Sequence, residues 1–219
     1  MDSEKSIKEN VKQKYGKIAK GELKFAVTPS SCCCSGGNVV VDMSAKYSDK
    51  DNAMIPDGAD LGLGCGTPAA YADLKEGMTV LDLGSGAGID CFVASKYVGK
   101  SGKVIGVDMT EEMIRKANEN KAKVSVSNVE FRLGEIESLP VDTDTVDRVI
   151  SNCVINLVPE KDKAFGEIYR VLKHGGKFTV SDIVVDGTIS EKERTDAALW
   201  AGCISGALSR DEYTGIIKK

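Results

Sequence analysis

The stretch "VLDLGSGAGID", residues 80–90, decides the fold. "MTVLDLG" (78–84) is the kind of apolar run that a buried parallel strand shows. It passes into glycines at 84, 86 and 88, and "IDCFVASKYVG" then reads as a helix. The same rhythm continues downstream. "KVIGVDM" (103–109) reads as a second strand, followed by the amphipathic helix "TEEMIRKANENKAK", with Thr110 as its cap and acidic residues in its first turn. "VEFRLGE" (129–135), "VDRVISN" (146–152) and "KFTVSDIV" (177–184) read as three further strands. A helix over "PEKDKAFGEIYRVLKHGG" is expected to end at Gly175 and Gly176. Alternating strands and helices predict an α/β doubly wound, Rossmann-like sheet that binds its ligand at the carboxyl ends of the strands.

The glycine turn says which ligand. Gly84, Gly86 and Gly88 let the backbone approach a nucleoside closely, and Asp108, 24 residues beyond Gly84, stands near the spacing at which a carboxylate grips a ribose diol. A dinucleotide fingerprint would place its third glycine one residue later. Asp82 before the turn and Asp90 after it would repel a pyrophosphate but suit a sulfonium cation. The loop resembles that of class I S-adenosylmethionine-dependent methyltransferases. On that reading Asp82, Gly84, Gly86, Gly88, Asp108 and Met109 contact the cofactor, Glu135 and Ile136 lie at the adenine, and Asn152 faces the methyl-transfer site.

Composition bounds the rest. At 219 residues, 42% of them hydrophobic and 28% charged, the chain suits one large domain with a buried core. A net charge of −4 with no long Lys/Arg run argues against nucleic-acid binding. The charged start "MDSEKSIKENVKQKYGKIAK" has no signal-peptide core, and no stretch has the length of a membrane span, so a cytoplasmic location is expected. Residues 3–20 carry Ile7, Val11, Tyr15 and Ile18 on one helical stripe. We divide the chain into an N-terminal helix and cysteine-bearing loop (1–66), a cofactor-binding domain (67–187) and a tail (188–219) with two short helical segments.

Seven cysteines, an odd number in a reducing compartment, read as free thiols. Cys32, Cys33 and Cys34 are consecutive, too close to bridge one another comfortably. Cys91 falls in the first helix of the sheet domain, as a small buried side chain. Cys153 sits at the carboxyl end of the fourth strand, Cys65 between glycines in "GLGCGTP", and Cys203 in "LWAGCISGAL". With no CxxC pair and only His174, in the expected helix-ending turn, zinc fits poorly. A soft thiolate set suits a thiophilic metal or metalloid.

"GLGCGTP", "VLDLGSGAGID", "GVDMTEEMIRKA", "GEIESLP", "SNCVINLVPEK", "VLKHGGKFTVSDIV" and "LWAGCISGALS" together resemble arsenite methyltransferases, from about residue 30 onward. The resemblance implies methyl transfer from S-adenosylmethionine to As(III), presented as a thiol adduct and held by Cys65, Cys153 and Cys203. It also implies an upstream cysteine in disulfide steps that keep the product trivalent, and a thiol reductant of thioredoxin or glutathione type. Cys33 and Cys34 are candidates for that cysteine, with Cys32 beside them; we expect a loop that offers one thiol to Cys65 or to arsenic. The family's "YYGCG" reads "LGLGCG" here, so cofactor contacts from residues 60–64 are not carried over. The family normally carries a further C-terminal segment, whereas this sequence stops at "YTGIIKK"; five strands are counted where the full fold has seven, so the sheet is expected to lack its final C-terminal strands. Two other readings remain: methylation of a small organic acceptor, and metalloid binding or sensing without turnover.

Overall fold

The computed structural model describes residues 2–24, 47–124 and 126–219; the triplet Cys32–Cys34 lies outside the described residues. Five parallel strands form one sheet in the order β3-β2-β1-β4-β5. They are β1 (Thr79–Leu83), β2 (Lys103–Asp108), β3 (Val129–Leu133), β4 (Val146–Asn152) and β5 (Leu172–Ser181). Successive parallel strands need a crossover; the longer helices supply it after β1, β2 and β4, and residues 134–145 carry β3 to β4 without a helix. The chain begins with α1 (Asp2–Ala19) and the single turns α2 (Asp49–Asn52) and α3 (Pro68–Tyr71). α4 (Ile89–Val98), α5 (Glu111–Lys123) and α6 (Lys161–Val171) follow β1, β2 and β4, and the tail carries α7 (Glu191–Arg194), α8 (Ala197–Trp200) and α9 (Arg210–Ile217).

The central strands are buried on both faces, which is why β1 reads as an unbroken apolar run rather than an alternating one. Leu81, Leu83, Val107, Val149 and Ile168 pack on one face, where Tyr213 of α9 joins them. Val80, Val104 and Ile150 pack with Val93 and Val98 of α4 on the other. The N-terminal stripe docks as well: Val11 and Ile18 are buried, and α1 lies on α5 and α8. None of the described helices is long and apolar enough to cross a membrane.

Three local expectations are corrected. α6 ends at Val171, because Leu172 turns extended and pairs with Val146; β5 therefore starts five residues before "KFTVSDIV". Gly175 and Gly176 lie within β5, near a register shift between Val146 and Arg148, and His174 is an exposed residue of that strand instead of a helix end. The tail holds three short helices instead of two, and two of them start with a capping box, Ser190 with Glu193 and Ser209 with Glu212. Thr110 occupies the N-cap of α5 but makes no side-chain cap; its amide donates to Asp108 Oδ1 at 2.8 Å.

The strand order reverses between β1 and β4. At such a switch point the helices leave to opposite faces and a crevice opens beyond the strand ends. The glycine turn closes β1 there and Asn152 closes β4, so both flank the opening.

Candidate active site

A cavity of about 1030 Å³, its mouth to solvent included, fills this crevice. Gly84, Ser85 and Gly86 form one wall, and Asp108, Met109, Ile136, Asn152 and Cys153 come from the ends of the neighbouring strands. Lys8, Val11 and Tyr15 of α1 cover it, with Leu61 and Leu63 beside them. Gly84 has φ +64°, and a Cβ there would stand 2.4 Å from Val154 Cγ2. Only glycine satisfies both the left-handed backbone and that close approach.

The carboxylates divide by environment. Asp82 is buried beneath the turn, outside the cavity lining, and accepts from Cys91 Sγ at 3.2 Å. Burial, with the nearby Asp90 charge second, pushes its pKa well above the ordinary value. Two such neighbours do not both ionise readily, which leaves Asp90 as the anion at the cavity wall. Burial raises Asp90 to about 6, against the opposing pull of hydrogen bonds from Tyr47 and Asn152. The Tyr47 hydroxyl donates to Oδ1 and Asn152 Nδ2 to Oδ2, the latter at 3.0 Å. Asp108 also lines the cavity, its pKa raised by burial. Its oxygens accept from the amides of Gly86 (3.0 Å) and Thr110 (2.8 Å) and keep lone pairs for further donors.

Met109 and Ile136 line the cavity. Glu135 does not: Lys8 at 2.7 Å and Lys12 at 3.2 Å draw its carboxylate into ion pairs with α1, at a shallower neighbouring depression. The Lys8 hydrogen bond is the chief cause of its lowered pKa. Gly88 lies behind the lining, where a Cβ would meet Phe131 and Phe92 at 2.8 Å.

Three of the four cysteines among the described residues, Cys65, Cys153 and Cys203, gather at the carboxyl end of β4. Cys65 and Cys153 are joined in a disulfide, so the expectation of free thiols is corrected for these two; Cys91 and Cys203 are free and buried. Asn152 sets the pairing. Its Oδ1 accepts from the amides of Cys65 (3.0 Å) and Gly66 (3.1 Å), and its Nδ2 donates to the Gly66 carbonyl (2.8 Å), pinning the 65–66 loop over Cys153. Cys153 (φ 57°) and Cys203 (φ 63°) both adopt left-handed backbone, a strain of order 1–3 kcal/mol that clusters at functional sites. Cys203 Sγ donates to the Cys153 carbonyl at 3.2 Å, with the Tyr15 hydroxyl 4.0 Å away. Burial is the main reason its thiol is pushed up to about 12.

Sequence reading missed several contributors. Tyr47 orients Asp90, the stripe on α1 roofs the cavity, and a carboxylate oxygen of Asp182 lies within 4.8 Å of both Cys65 and Cys153 sulfurs. Asp182 ends the run "KFTVSD" at the carboxyl edge of β5, beside β4, and that position was the available signal. The donor set suits S-adenosylmethionine: an apolar cleft, one buried anion for a cation, and an acceptor, Asp108, for hydroxyls. The carboxylates Asp90 and Asp108 on the lining disfavour a pyrophosphate.

The methyltransferase-domain family matches residues 74–219. The chain is similar to the arsenite methyltransferase of Halobacterium salinarum, at 46% identity over 96% of this chain and 56% of that protein. It is also similar to the arsenite methyltransferase of Aquipseudomonas alcaligenes, at 35% identity over 96% of this chain and 60% of that one. The crystal structure of CrArsM, an arsenic(III) S-adenosylmethionine methyltransferase from Chlamydomonas reinhardtii, superposes with a TM-score of 0.65 at 36% identity. That match covers 78% of this chain and 57% of the other. The chain thus spans less than two thirds of the length of each of these relatives.

Proposed function

Since the chain belongs to the methyltransferase-domain family, we propose that it transfers the methyl group of S-adenosylmethionine to thiol-bound trivalent arsenic. One observation carries this reading: the Cys65–Cys153 pair meets at the rim of the cofactor cavity, with Cys153 itself part of the lining. Bound in the cleft, the cofactor supplies an electrophilic methyl on a cationic sulfur. Asp90, held by Tyr47 and Asn152, places a negative charge at the wall, and Asp108 with the Gly86 turn receives the ribose. Met109 and Ile136 give the adenine an apolar seat.

Residues 67–187 act as the cofactor unit, and 1–66 and 188–219 bring Cys65 and Cys203 to it. The nucleophile is the arsenic lone pair, so attack on the methyl group needs no base, and holding donor and acceptor in line supplies much of the acceleration. Thiolates of Cys65, Cys153 and Cys203 are the arsenic ligands in this reading. Methylation removes two electrons from arsenic. Closure of two thiols into the Cys65–Cys153 disulfide returns them, and an external reductant of thioredoxin or glutathione type reopens the pair.

The test uses arsenite, excess dithiol and the labelled cofactor, with speciation of the products. Methylated arsenic that disappears in Cys153→Ser and Cys203→Ser supports the reading. Label on a small organic acceptor, unaffected by those substitutions, would replace it. Intact binding of cofactor and arsenite with no methylated product would instead favour a sensor.

A further inference from the structure

We infer that Asp182 is a third binding group for the acceptor: it accepts a hydrogen bond from the one hydroxyl that arsenic keeps when only Cys65 and Cys153 hold it. The inference rests on the arsenite reading above and extends it to a residue outside the cysteine set. Asp182 follows directly on β5, whose last residue, Ser181, pairs with Asn152 at the end of β4. A carboxylate oxygen of Asp182 and the sulfurs of Cys65 and Cys153 all lie within 4.8 Å of one another. Cys203 is not in that group; its thiol is turned to the Cys153 carbonyl.

The two carboxylate oxygens differ. Oδ2 accepts from the Tyr213 hydroxyl at 3.1 Å and from the Asn156 amide at 3.2 Å, and these two donors fix the plane of the group. Oδ1 is buried and has no hydrogen-bond partner among the described residues. Leaving a buried carboxylate oxygen unpaired is costly, so a carboxylate that lies beside a sulfur pair and has one bare oxygen points to an absent donor. A hydroxyl on an atom bound by both sulfurs would supply it. The site is also reachable from solvent, because Cys65 is exposed while Cys153 is not.

The chemistry balances. A dithiol reductant opens the disulfide by thiol exchange and leaves as its own disulfide. Arsenite, As(OH)₃, then reacts with two protein thiols: two As–O bonds break, two As–S bonds form, and each thiol proton leaves with a hydroxide as water. The product retains one As–OH, and its hydrogen is donated to Asp182. A third thiol, Cys203, can later displace that hydroxyl as water. Asp182 thus binds the capture complex, before the third sulfur is in place.

The test uses the full chain reduced with a dithiol, with arsenite as the probe. In a Cys203→Ser background, Asp182→Asn is expected to weaken arsenite binding by about tenfold, the worth of one charge-assisted hydrogen bond. Asp182→Glu is expected to recover most of that loss, and S-adenosylmethionine binding should be unchanged in both. X-ray absorption at the arsenic edge of Cys203→Ser, with Asp182 intact, should give two sulfur neighbours and one oxygen. That measurement stands even where Asp182→Asn fails to fold. Equal arsenite affinity with and without the carboxylate would overturn the inference, as would an arsenic shell lacking oxygen in Cys203→Ser. If the unsubstituted reduced chain binds no arsenite, the arsenic reading itself fails; equal binding by Asp182→Asn sinks only the role of Asp182.

Discussion

Replacing Asn152 with alanine should loosen Cys65 from Cys153 without touching either sulfur. Three of the side chain's hydrogen bonds hold the 65–66 loop, at 3.0, 3.1 and 2.8 Å, and a fourth reaches Asp90 at 3.0 Å. The loop packs closely on the same group, since a Cβ on Gly64 would stand 2.7 Å from Asn152 Nδ2. At about 0.5–1.5 kcal/mol net per bond, the three loop bonds hold the pair together by roughly 2 kcal/mol. One tenfold step in an equilibrium is about 1.4 kcal/mol, so the effective concentration of one thiol at the other should fall roughly 30-fold. The assay is redox equilibration against graded mixtures of reduced and oxidised dithiothreitol, followed by acid quench, alkylation and mass spectrometry of the two cysteines. A thermal melt establishes that the sheet is intact. A redox equilibrium for the Cys65–Cys153 pair indistinguishable from the unsubstituted chain, in a folded variant, would refute the claim that Asn152 sets the pairing.

Other outcomes follow from the same geometry. Asp90 has its pKa raised to about 6, so protons compete there with a cationic cofactor: S-adenosylmethionine affinity, read by calorimetry, should fall as pH drops through about 6. Asp90→Asn should bind weakly and show no such step. In the cofactor-free protein the sign reverses. Asp90 and Asp182 are both raised to about 6, so the folded state holds more protons than the unfolded one between the ordinary carboxylate range and pH 6. Urea stability should therefore decline across that window and level off above it. Gly206→Ala would place a Cβ 1.9 Å from the Asn156 carbonyl oxygen, and overpacking of about 1–3 kcal/mol should lower the urea midpoint and disturb the turn that carries Cys203. Lys8→Ala removes ion pairs to Glu135 (2.7 Å) and Glu137 (2.9 Å) that tie α1 over the cavity. These pairs are partly exposed, so cofactor affinity should drop by a factor of about two to five, and less at high salt.

The sheet was legible because parallel strands buried on both faces leave long apolar runs, and because Gly84 and Asp108 sit at fixed distances from the ends of β1 and β2. The boundary between α6 and β5 was not. "VLKHGG" carries a good helix stop at its glycines, but pairing of Leu172 with Val146 overrides the local signal. The capping boxes at Ser190 and Ser209 were plain in the sequence and would have divided the tail correctly. Within the site, Asp90 could be singled out by its place after the turn. Its partner Tyr47 could not, since 43 residues separate them and only the folded chain joins them. Glu135 went the other way: its position after β3 suggested the adenine, and lysines from a distant helix took its charge. Asp182 was hidden for a different reason, since an aspartate at a strand end is common and its meaning comes from the sulfurs beside it.

The most direct test of the account is a single-turnover reaction. The reduced chain, loaded with arsenite, is mixed with cofactor labelled in its methyl group, and the arsenic species are separated and counted. The account predicts labelled monomethylated arsenic, with the Cys65–Cys153 disulfide re-formed in step with it. Bound arsenite and bound cofactor that yield no arsenic–carbon bond would contradict it.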